Sequence, residues 1–126
     1  MPMDSQDPMT FPEVRVVPKP WGREDWLVVG ERIAMKRLVV HAGQRFSLQY
    51  HERKEEAWLF VRGRARVTLG DRVVEATPGM VVHVRPGTVH RVEGLEESEF
   101  IEVSTPELDD VVRLADDFGR PERDAR

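Results

Sequence analysis

The chain has 126 residues, a formal net charge of −4 and no cysteine. This length suits a single domain with a substantial core, and the lack of cysteine excludes disulfides, thiolate metal sites and thiol nucleophiles. The acidic balance disfavours nucleic acid as a partner, and no apolar run is long enough to cross a bilayer, so we expect a small-molecule ligand and no membrane partner.

The first ten residues predict a flexible N-terminal tail. Residues 1–10 are polar, include Pro2 and Pro8, and lack the basic-then-apolar order of a secretory signal. A cytoplasmic location follows as the default expectation.

Residues 11–104 show the pattern of an all-β domain. Between Val14 and Val103 the apolar residues form short, β-branched clusters separated by Gly, Pro and Asp. Turn pairs such as Pro86-Gly87 mark chain reversals, so we expect mostly antiparallel strands in a sandwich or barrel. The predicted strands are residues 24–29, 33–41, 45–50, 57–61, 65–69, 72–76, 81–84, 90–92 and 100–103.

Residues 105–126 form a C-terminal segment that is acidic first and then rich in arginine. Val111, Val112, Leu114 and Phe118 are spaced for either a short helix or an edge strand. The sequence leaves both alternatives open. We expect the segment to pack on the barrel and its end to be disordered.

Four residues predict a metal site. Gln49 and His51 lie two residues apart in an expected strand, so their side chains point the same way and can reach one ion. A turn returns the chain with Glu56, and a later hairpin brings His90. Two imidazoles, a carboxylate and an amide oxygen suit one divalent ion of Zn, Mn, Fe, Co or Ni. Each histidine could instead be a hydrogen-bonded core residue, but the combined spacing favours the metal.

The same strand alternation predicts which side chains surround the metal. Four of them share the inward face of the ligands, and a fifth lies in register with inward apolar residues. The predicted substrate-binding residues are Arg45, Ser47, Trp58, Phe60 and Lys36. Arg45 is the candidate phosphate ligand because its planar guanidinium pairs with two phosphate oxygens. The alternative is that Arg45 and Lys36 are solvated rim charges and that the aromatic pair belongs to the core.

The spacing of several residues resembles that of the cupins. The first cupin motif is matched by Gly43, Gln49, His51, Glu56 and Gly63, with Gln49 in place of the usual first histidine, and the second by Gly79, Gly87 and His90. Segments 19–22 (Lys-Pro-Trp-Gly), 47–51 (Ser-Leu-Gln-Tyr-His), 56–58 (Glu-Ala-Trp) and 109–120 more closely resemble the type II phosphomannose isomerase branch. This resemblance implies a double-stranded β-helix, a jelly-roll-like barrel, with a bound metal and a sugar-phosphate substrate.

Three functions are compatible with these features. The first is a sugar-phosphate isomerase acting on a substrate such as mannose 6-phosphate; the second is a metal-dependent oxygenase, decarboxylase or lyase; the third is a non-catalytic sugar- or metabolite-binding cupin. The branch carries extra histidines where this chain has Glu52, Arg53 and Ala57. The catalytic base is unknown, with Glu52, His83 and an unligated Glu56 as candidates. Exposed edge strands also predict a homodimer.

Overall fold

A computed structural model describes residues 9–124 of the chain. The tail predicted at residues 1–10 therefore lies outside the described residues apart from Met9 and Thr10, which belong to no strand. The predicted disordered end of the C-terminal segment, at residues 125 and 126, lies outside them too. Within the described range no helix is present, so none could cross a membrane.

The described chain is all-β, as predicted. Its strands are β1 (Arg15–Lys19), β2 (Gly22–Val29), β3 (Ala34–Val40), β4 (Leu48–Tyr50), β5 (Glu56–Arg62), β6 (Ala65–Leu69), β7 (Arg72–Ala76), β8 (Val81–Val84), β9 (His90–Gly94), β10 (Ser98–Ser104) and β11 (Val112–Ala115). Strand β1 is absent from the sequence prediction because Pro18 interrupts it. It lies at a sheet edge and pairs only with β2, which is where a strand tolerates proline.

Two sheets enclose the core. The order in the six-stranded sheet is β1-β2-β3-β10-β5-β8, and in the five-stranded sheet it is β11-β4-β9-β6-β7. All pairs of named strands are antiparallel. The inward residues of both sheets form one cluster around Trp58, Phe60 and Phe100, each at most 2% exposed. Buried polar side chains, among them His51, Glu56 and His90, lie beside this aromatic cluster and form the candidate functional site.

The C-terminal segment forms an edge strand and not a helix. Strand β11 pairs with β4, the strand that carries Gln49. Its apolar residue Val112 is 1% exposed, which fits one buried face of a strand. The segment therefore extends the five-stranded sheet and covers one side of the polar interior.

Two close contacts hold the hairpins that carry the motif residues. The backbone N–H of Gly87 donates a hydrogen bond of 2.7 Å to the carbonyl of His51, which joins the two motif turns. Gly63 has a φ of +82°, and a Cβ there would lie 2.2 Å from the carbonyl oxygen of Glu97. Only glycine permits this approach between the β5–β6 turn and the chain that leads into β10.

Candidate metal centre

The residues predicted as histidine and carboxylate ligands meet inside the barrel. His51 follows β4, Glu56 begins β5 and His90 begins β9. One ligand atom from each of the three lies within 4.8 Å of the others, and all three residues are at most 5% exposed. Nε2 of His51 lies 2.7 Å from Oε2 of Glu56, and Nε2 of His90 lies 3.9 Å from the same oxygen. Separate strands thus present two imidazoles and one carboxylate to a single point.

Backbone carbonyls orient both imidazole rings. Nδ1 of His51 contacts the carbonyl oxygen of Asp110, and Nδ1 of His90 lies 2.9 Å from the carbonyl oxygen of Thr88. A carbonyl accepts hydrogen bonds only, so each Nδ1 carries the proton. In the neutral rings the lone pair is then on Nε2, the atom that faces Glu56. Metal-binding histidines are usually held in this way.

One carboxylate oxygen of Glu56 is engaged by a hydrogen bond, and the other faces the two histidines. Its Oε1 accepts a hydrogen bond of 2.6 Å from Nε1 of Trp58. Its Oε2 is buried and has no clear hydrogen-bond donor among the described residues, yet it lies 2.7 Å from Nε2 of His51. Two lone pairs cannot approach so closely unless a proton or a metal ion lies between them. A divalent ion fits this donor set.

The pKa values of the ligands favour the forms that bind metal. Burial, together with the neighbouring His51, lowers the pKa of His90 to about 4. Burial raises the pKa of Glu56, but the contact with His51 and the charge of Lys54 outweigh burial and hold that pKa well below its usual value. A neutral His90 and an ionised Glu56 are the states in which these side chains coordinate metals.

Gln49 lies beside this centre. In the sheet register it stands directly opposite His90, so both side chains project from the same face. Its Oε1 accepts a hydrogen bond from the hydroxyl of Ser47. Gln49 also lines the cavity described below. The amide is therefore within reach of the centre, and its role as the fourth ligand stays a prediction.

A buried ion pair lies next to the candidate metal ligands. Nζ of Lys54 is 3.2 Å from a carboxylate oxygen of Glu102 and 3.7 Å from Oε2 of Glu56. Burial and the neighbouring Glu56 raise the pKa of Glu102 to about 7, and the two carboxylates together raise the pKa of Lys54 despite its own burial. Lys54 thus compensates the charge of two buried carboxylates.

Asp110 attaches the C-terminal segment to the loop that follows His51. Its carboxylate accepts hydrogen bonds from the backbone N–H groups of Glu52, Arg53 and Lys54, at 3.0, 2.7 and 2.9 Å. Burial opposes its ionisation, but these three bonds hold the pKa of Asp110 below its usual value. The same residue supplies the carbonyl that orients His51, so one residue fixes both the loop and the ligand.

The metal centre opens into a charged cavity between the sheets. Trp26, Leu38, Phe46, Trp58 and Leu108 are among its apolar lining residues. In the described part of the chain its cationic lining residues are Lys19, Lys36, Lys54, Arg113 and Arg120, and its carboxylates are Glu24, Glu56, Glu102 and Asp124. A small polar, hydroxylated or anionic ligand suits this lining better than an apolar one.

The predicted substrate residues divide into two groups. Trp58 and Lys36 line the cavity, and the ammonium of Lys36 lies 4.7 Å from the Trp26 ring centroid. Arg45, Ser47 and Phe60 do not line it. Ser47 is buried beneath Gln49 and Phe60 is part of the core. The guanidinium of Arg45 pairs with Asp117 at 2.7 Å on the surface.

An irregular segment explains this difference. Regular strand β4 begins only at Leu48, and Arg45 makes an isolated bridge to Glu93. Alternation therefore cannot be counted back from Gln49 to Arg45. Phe46 points inward instead, with its ring centroid 6.3 Å from that of His90. The prediction that Arg45 shares the inner face was wrong for this reason.

The sequence prediction missed most of the cavity wall. Glu24 and Trp26 on β2 are two residues apart, so strand alternation puts both side chains on one face, and each carries a polar group. This pattern could have revealed them as cavity residues. The C-terminal wall, which includes Arg113, could be found only by knowing that β11 pairs with β4. Two candidate bases lie elsewhere: Glu52 pairs with Arg123 and His83 pairs with Glu55, all on the surface.

Comparison with known proteins places these features in a family. Residues 7–116 match the family described as "Mannose-6-phosphate isomerase C-terminal". Xanthan biosynthesis protein XanB of Xanthomonas campestris pv. campestris (strain B100) is 38% identical over 111 residues, covering 84% of this chain and 24% of that protein. Mannose-1-phosphate guanylyltransferase ManC of Salmonella typhimurium is 38% identical over 84% of this chain and 23% of its own length. The chain thus spans about a quarter of the length of these curated relatives.

Solved structures share the fold at low sequence identity. Oxalate decarboxylase from Bacillus subtilis has a TM-score of 0.72 and 20% identity, over 84% of this chain and 31% of that chain. A cupin 2 domain-containing protein from Halorhodospira halophila has a TM-score of 0.69 and 22% identity, over 81% of this chain and 83% of that chain. These likenesses confirm the predicted double-stranded β-helix. The chain has the cupin fold and belongs to the mannose-6-phosphate isomerase C-terminal family.

Proposed function

We propose that this protein is a metal-dependent sugar-phosphate isomerase that interconverts an aldose phosphate, such as mannose 6-phosphate, with its ketose. The observation that carries the proposal is the buried centre of His51, Glu56 and His90, which opens into a cavity lined by charged side chains. The family match supports a substrate of the mannose phosphate class.

His51, Glu56 and His90 would hold one divalent ion, with Gln49 as a fourth donor. When bound, such an ion supplies Lewis-acid polarisation of the substrate's carbonyl and hydroxyl oxygens. The contacts that hold Nδ1 of both histidines, together with the ionised Glu56, would present the three ligand atoms to it.

Glu102 is the residue that we assign to proton transfer. It is buried, lines the cavity and shares Lys54 with the ligand Glu56, which places it beside the metal centre. Glu24 and Asp124 also line the cavity, but among the described residues their partners Lys36 and Arg113 make no ion pair with Glu56, whereas Lys54 pairs with both Glu102 and Glu56. In this reaction Glu102 would accept the proton from carbon 2 of the aldose and return it to carbon 1, while the proton of the carbon 2 hydroxyl passes to the oxygen on carbon 1. Lys54 would stabilise the carboxylate form between turnovers.

A coupled assay for ketose formation from mannose 6-phosphate tests the proposal. We expect activity in protein loaded with Zn²⁺, Mn²⁺, Fe²⁺, Co²⁺ or Ni²⁺ in turn, and its loss on chelation. Glu102→Gln should reduce kcat by at least about 100-fold, a typical contribution of general acid–base catalysis, while its metal content stays that of the wild type. The absence of ketose from several aldose phosphates, with metal demonstrably bound, would refute the proposal.

A second candidate is a non-catalytic cupin that binds a sugar phosphate. The ion pair between Lys54 and Glu102 favours this candidate, because it already engages the carboxylate that we propose as the base. Calorimetry that detects binding of mannose 6-phosphate to a protein without turnover would support this candidate, and any metal-dependent turnover would exclude it. Oxygen uptake with Fe²⁺ tests the oxygenase alternative in the same preparation. The homodimer and the cytoplasmic location stay predictions.

A further inference from the structure

We infer that the C-terminal side of the cavity is an anion subsite in which Arg113, Arg120 and Lys19 bind the phosphate group of the ligand. The inference rests on the proposed function and refines it, because it says where the phosphorylated end of the substrate lies. It also replaces Arg45, the phosphate ligand that the sequence predicted.

The sheet register places this subsite at a defined distance from the metal centre. Arg113 stands opposite Gln49 across the β11–β4 pair, and Gln49 stands opposite His90 across the β4–β9 pair. Directly opposed residues project from the same face of a sheet. The backbone of Arg113 therefore lies two strand spacings, about 10 Å, from the backbone of His90. With the carbonyl end of a sugar phosphate at the metal, its phosphate would then lie on this side.

The arginines keep donors available after their protein contacts are counted. The side chain of Arg113 is 8% exposed, and its Nη groups donate to Asp124 and to the carbonyl of Pro121. Its buried Nε has no partner within the described residues. Arg120 donates through Nε and Nη2 to Asp116, which leaves Nη1 outside that pair. The two aspartates fix the guanidinium planes, so little side-chain entropy remains to be lost on binding.

Lys19 adds an ammonium group at the same cavity. Its Nζ is 4.0 Å from the nearest carboxylate oxygen, on Glu24, which is too long for a hydrogen bond. The Lys19 side chain is 28% exposed, so its position is accessible to a ligand. The ammonium can therefore donate to a phosphate oxygen without first losing a protein hydrogen bond.

The balance of charge in this part of the cavity also favours an anion. Away from Glu56, Glu102 and Lys54, the lining residues of the described chain include four cations and two carboxylates: Lys19, Lys36, Arg113 and Arg120 against Glu24 and Asp124. Arg120 also pairs with Asp116, which leaves an excess of one positive charge. The whole chain has a net charge of −4, so this local excess of positive charge runs against the composition.

Inorganic phosphate, titrated by calorimetry into the metal-free and the metal-loaded protein, is the direct probe. We expect Lys19→Gln and Arg120→Gln each to weaken phosphate binding about tenfold or more in both forms, the effect of losing one charge-assisted hydrogen bond. Arg113→Lys keeps the charge but not the planar donor set, and it should weaken binding as well. Circular dichroism confirms that each variant is folded.

Arg45→Gln is the matched control. It removes one positive charge and one ion pair, as Arg120→Gln does, but outside the cavity. Phosphate affinity should stay within about twofold of the wild type. Equal losses in Arg45→Gln and Arg120→Gln would overturn the subsite, and so would phosphate binding that appears only with metal and is insensitive to Lys19→Gln.

The outcome is separable from that of the proposed function. If the protein forms no ketose but the variants lose phosphate affinity, the subsite stands and the isomerase fails. If ketose forms while the variants retain wild-type phosphate affinity and KM for mannose 6-phosphate, the isomerase stands and the subsite is wrong.

Discussion

Substitution of Asp110 tests how the metal centre is held in place. The Asp110 carboxylate binds three consecutive backbone N–H groups after His51, two of them through Oδ2 and one through Oδ1. Asp110→Asn keeps one carbonyl oxygen and places an NH₂ group against at least one N–H donor. Hydrogen bonds to a charged group contribute about 1.5–3 kcal/mol each, and partial exposure of this loop reduces that figure. We expect a loss of about 2 kcal/mol in the free energy of unfolding.

The effect on the metal should exceed the effect on the fold. Asp110 also presents the carbonyl that orients the His51 ring, so a looser loop frees both groups together. Loss of such an outer contact typically weakens metal binding 10- to 100-fold, and we expect a change of about this size for Zn²⁺. Calorimetry measures the Zn²⁺ affinity, urea unfolding measures stability, and hydrogen exchange should show faster exchange of the amides of residues 52–54.

Asp109→Asn is the control for this experiment. It makes the same change of charge one residue earlier, and the Asp109 side chain accepts none of the three loop bonds. Its Zn²⁺ affinity and its loop exchange should match those of the wild type. If Asp109→Asn and Asp110→Asn behave alike in both measurements, the reasoning is refuted.

Three further predictions concern the fold, the pH dependence and the metal. Gly22→Ala should lower the free energy of unfolding by roughly 3 kcal/mol or prevent folding, because its Cβ would lie 1.9 Å from the carbonyl oxygen of Val39. At Gly70 nothing lies within 4 Å of such a Cβ, so Gly70→Ala should cost only about 1 kcal/mol. Urea unfolding measures both variants. Hydrogen bonds from Arg120 lower the pKa of Asp116 from 3.8 to about 2, so Asp116 stabilises the fold above pH 3.8 and this contribution is lost as the pH falls towards 2. The difference in unfolding free energy between the wild type and Asp116→Asn should be about 2 kcal/mol at pH 6 and about a third of that at pH 2.5; an unchanged difference would contradict the assignment. Finally, adding Zn²⁺ to chelator-treated protein at about 100 times its dissociation constant should raise stability by about 2.7 kcal/mol, and His51→Ala or His90→Ala should abolish the rise.

The meeting of His51, Glu56 and His90 could be predicted from the sequence because their positions depend on local structure; that they bind a metal stays a prediction. His51 and Glu56 are separated by one tight loop, and His90 follows the Pro86-Gly87 turn directly. Each therefore sits at a strand end whose place is set by short-range turn chemistry. The all-β fold and most strands followed from the same kind of signal.

The cavity walls depend on contacts that the sequence does not display. The Arg45 prediction failed because alternation was counted through irregular chain before Leu48. Arg113 escaped notice because only the pairing of β11 with β4, far apart in sequence, brings it beside Gln49. Lys54 and Glu102 were missed because a charged residue in a loop or at the centre of a strand is normally solvated, and both are buried here.

The buried charges of the cavity are best explained by a ligand and not by stability. Lys54 pairs with Glu102, Glu102 stands opposite Lys36 in the sheet register, and Lys36 pairs with Glu24. Each buried charge thus has a neighbour of opposite sign along an alternating row. Such pairs rarely stabilise a fold more than apolar side chains of the same size, because desolvation cancels most of their attraction. A barrel that needed only stability would fill this space with more residues like its apolar neighbour Leu38. The row begins at the metal ligands and ends at Lys19 beside the C-terminal wall, so it connects the two positions at which we expect the ligand to bind.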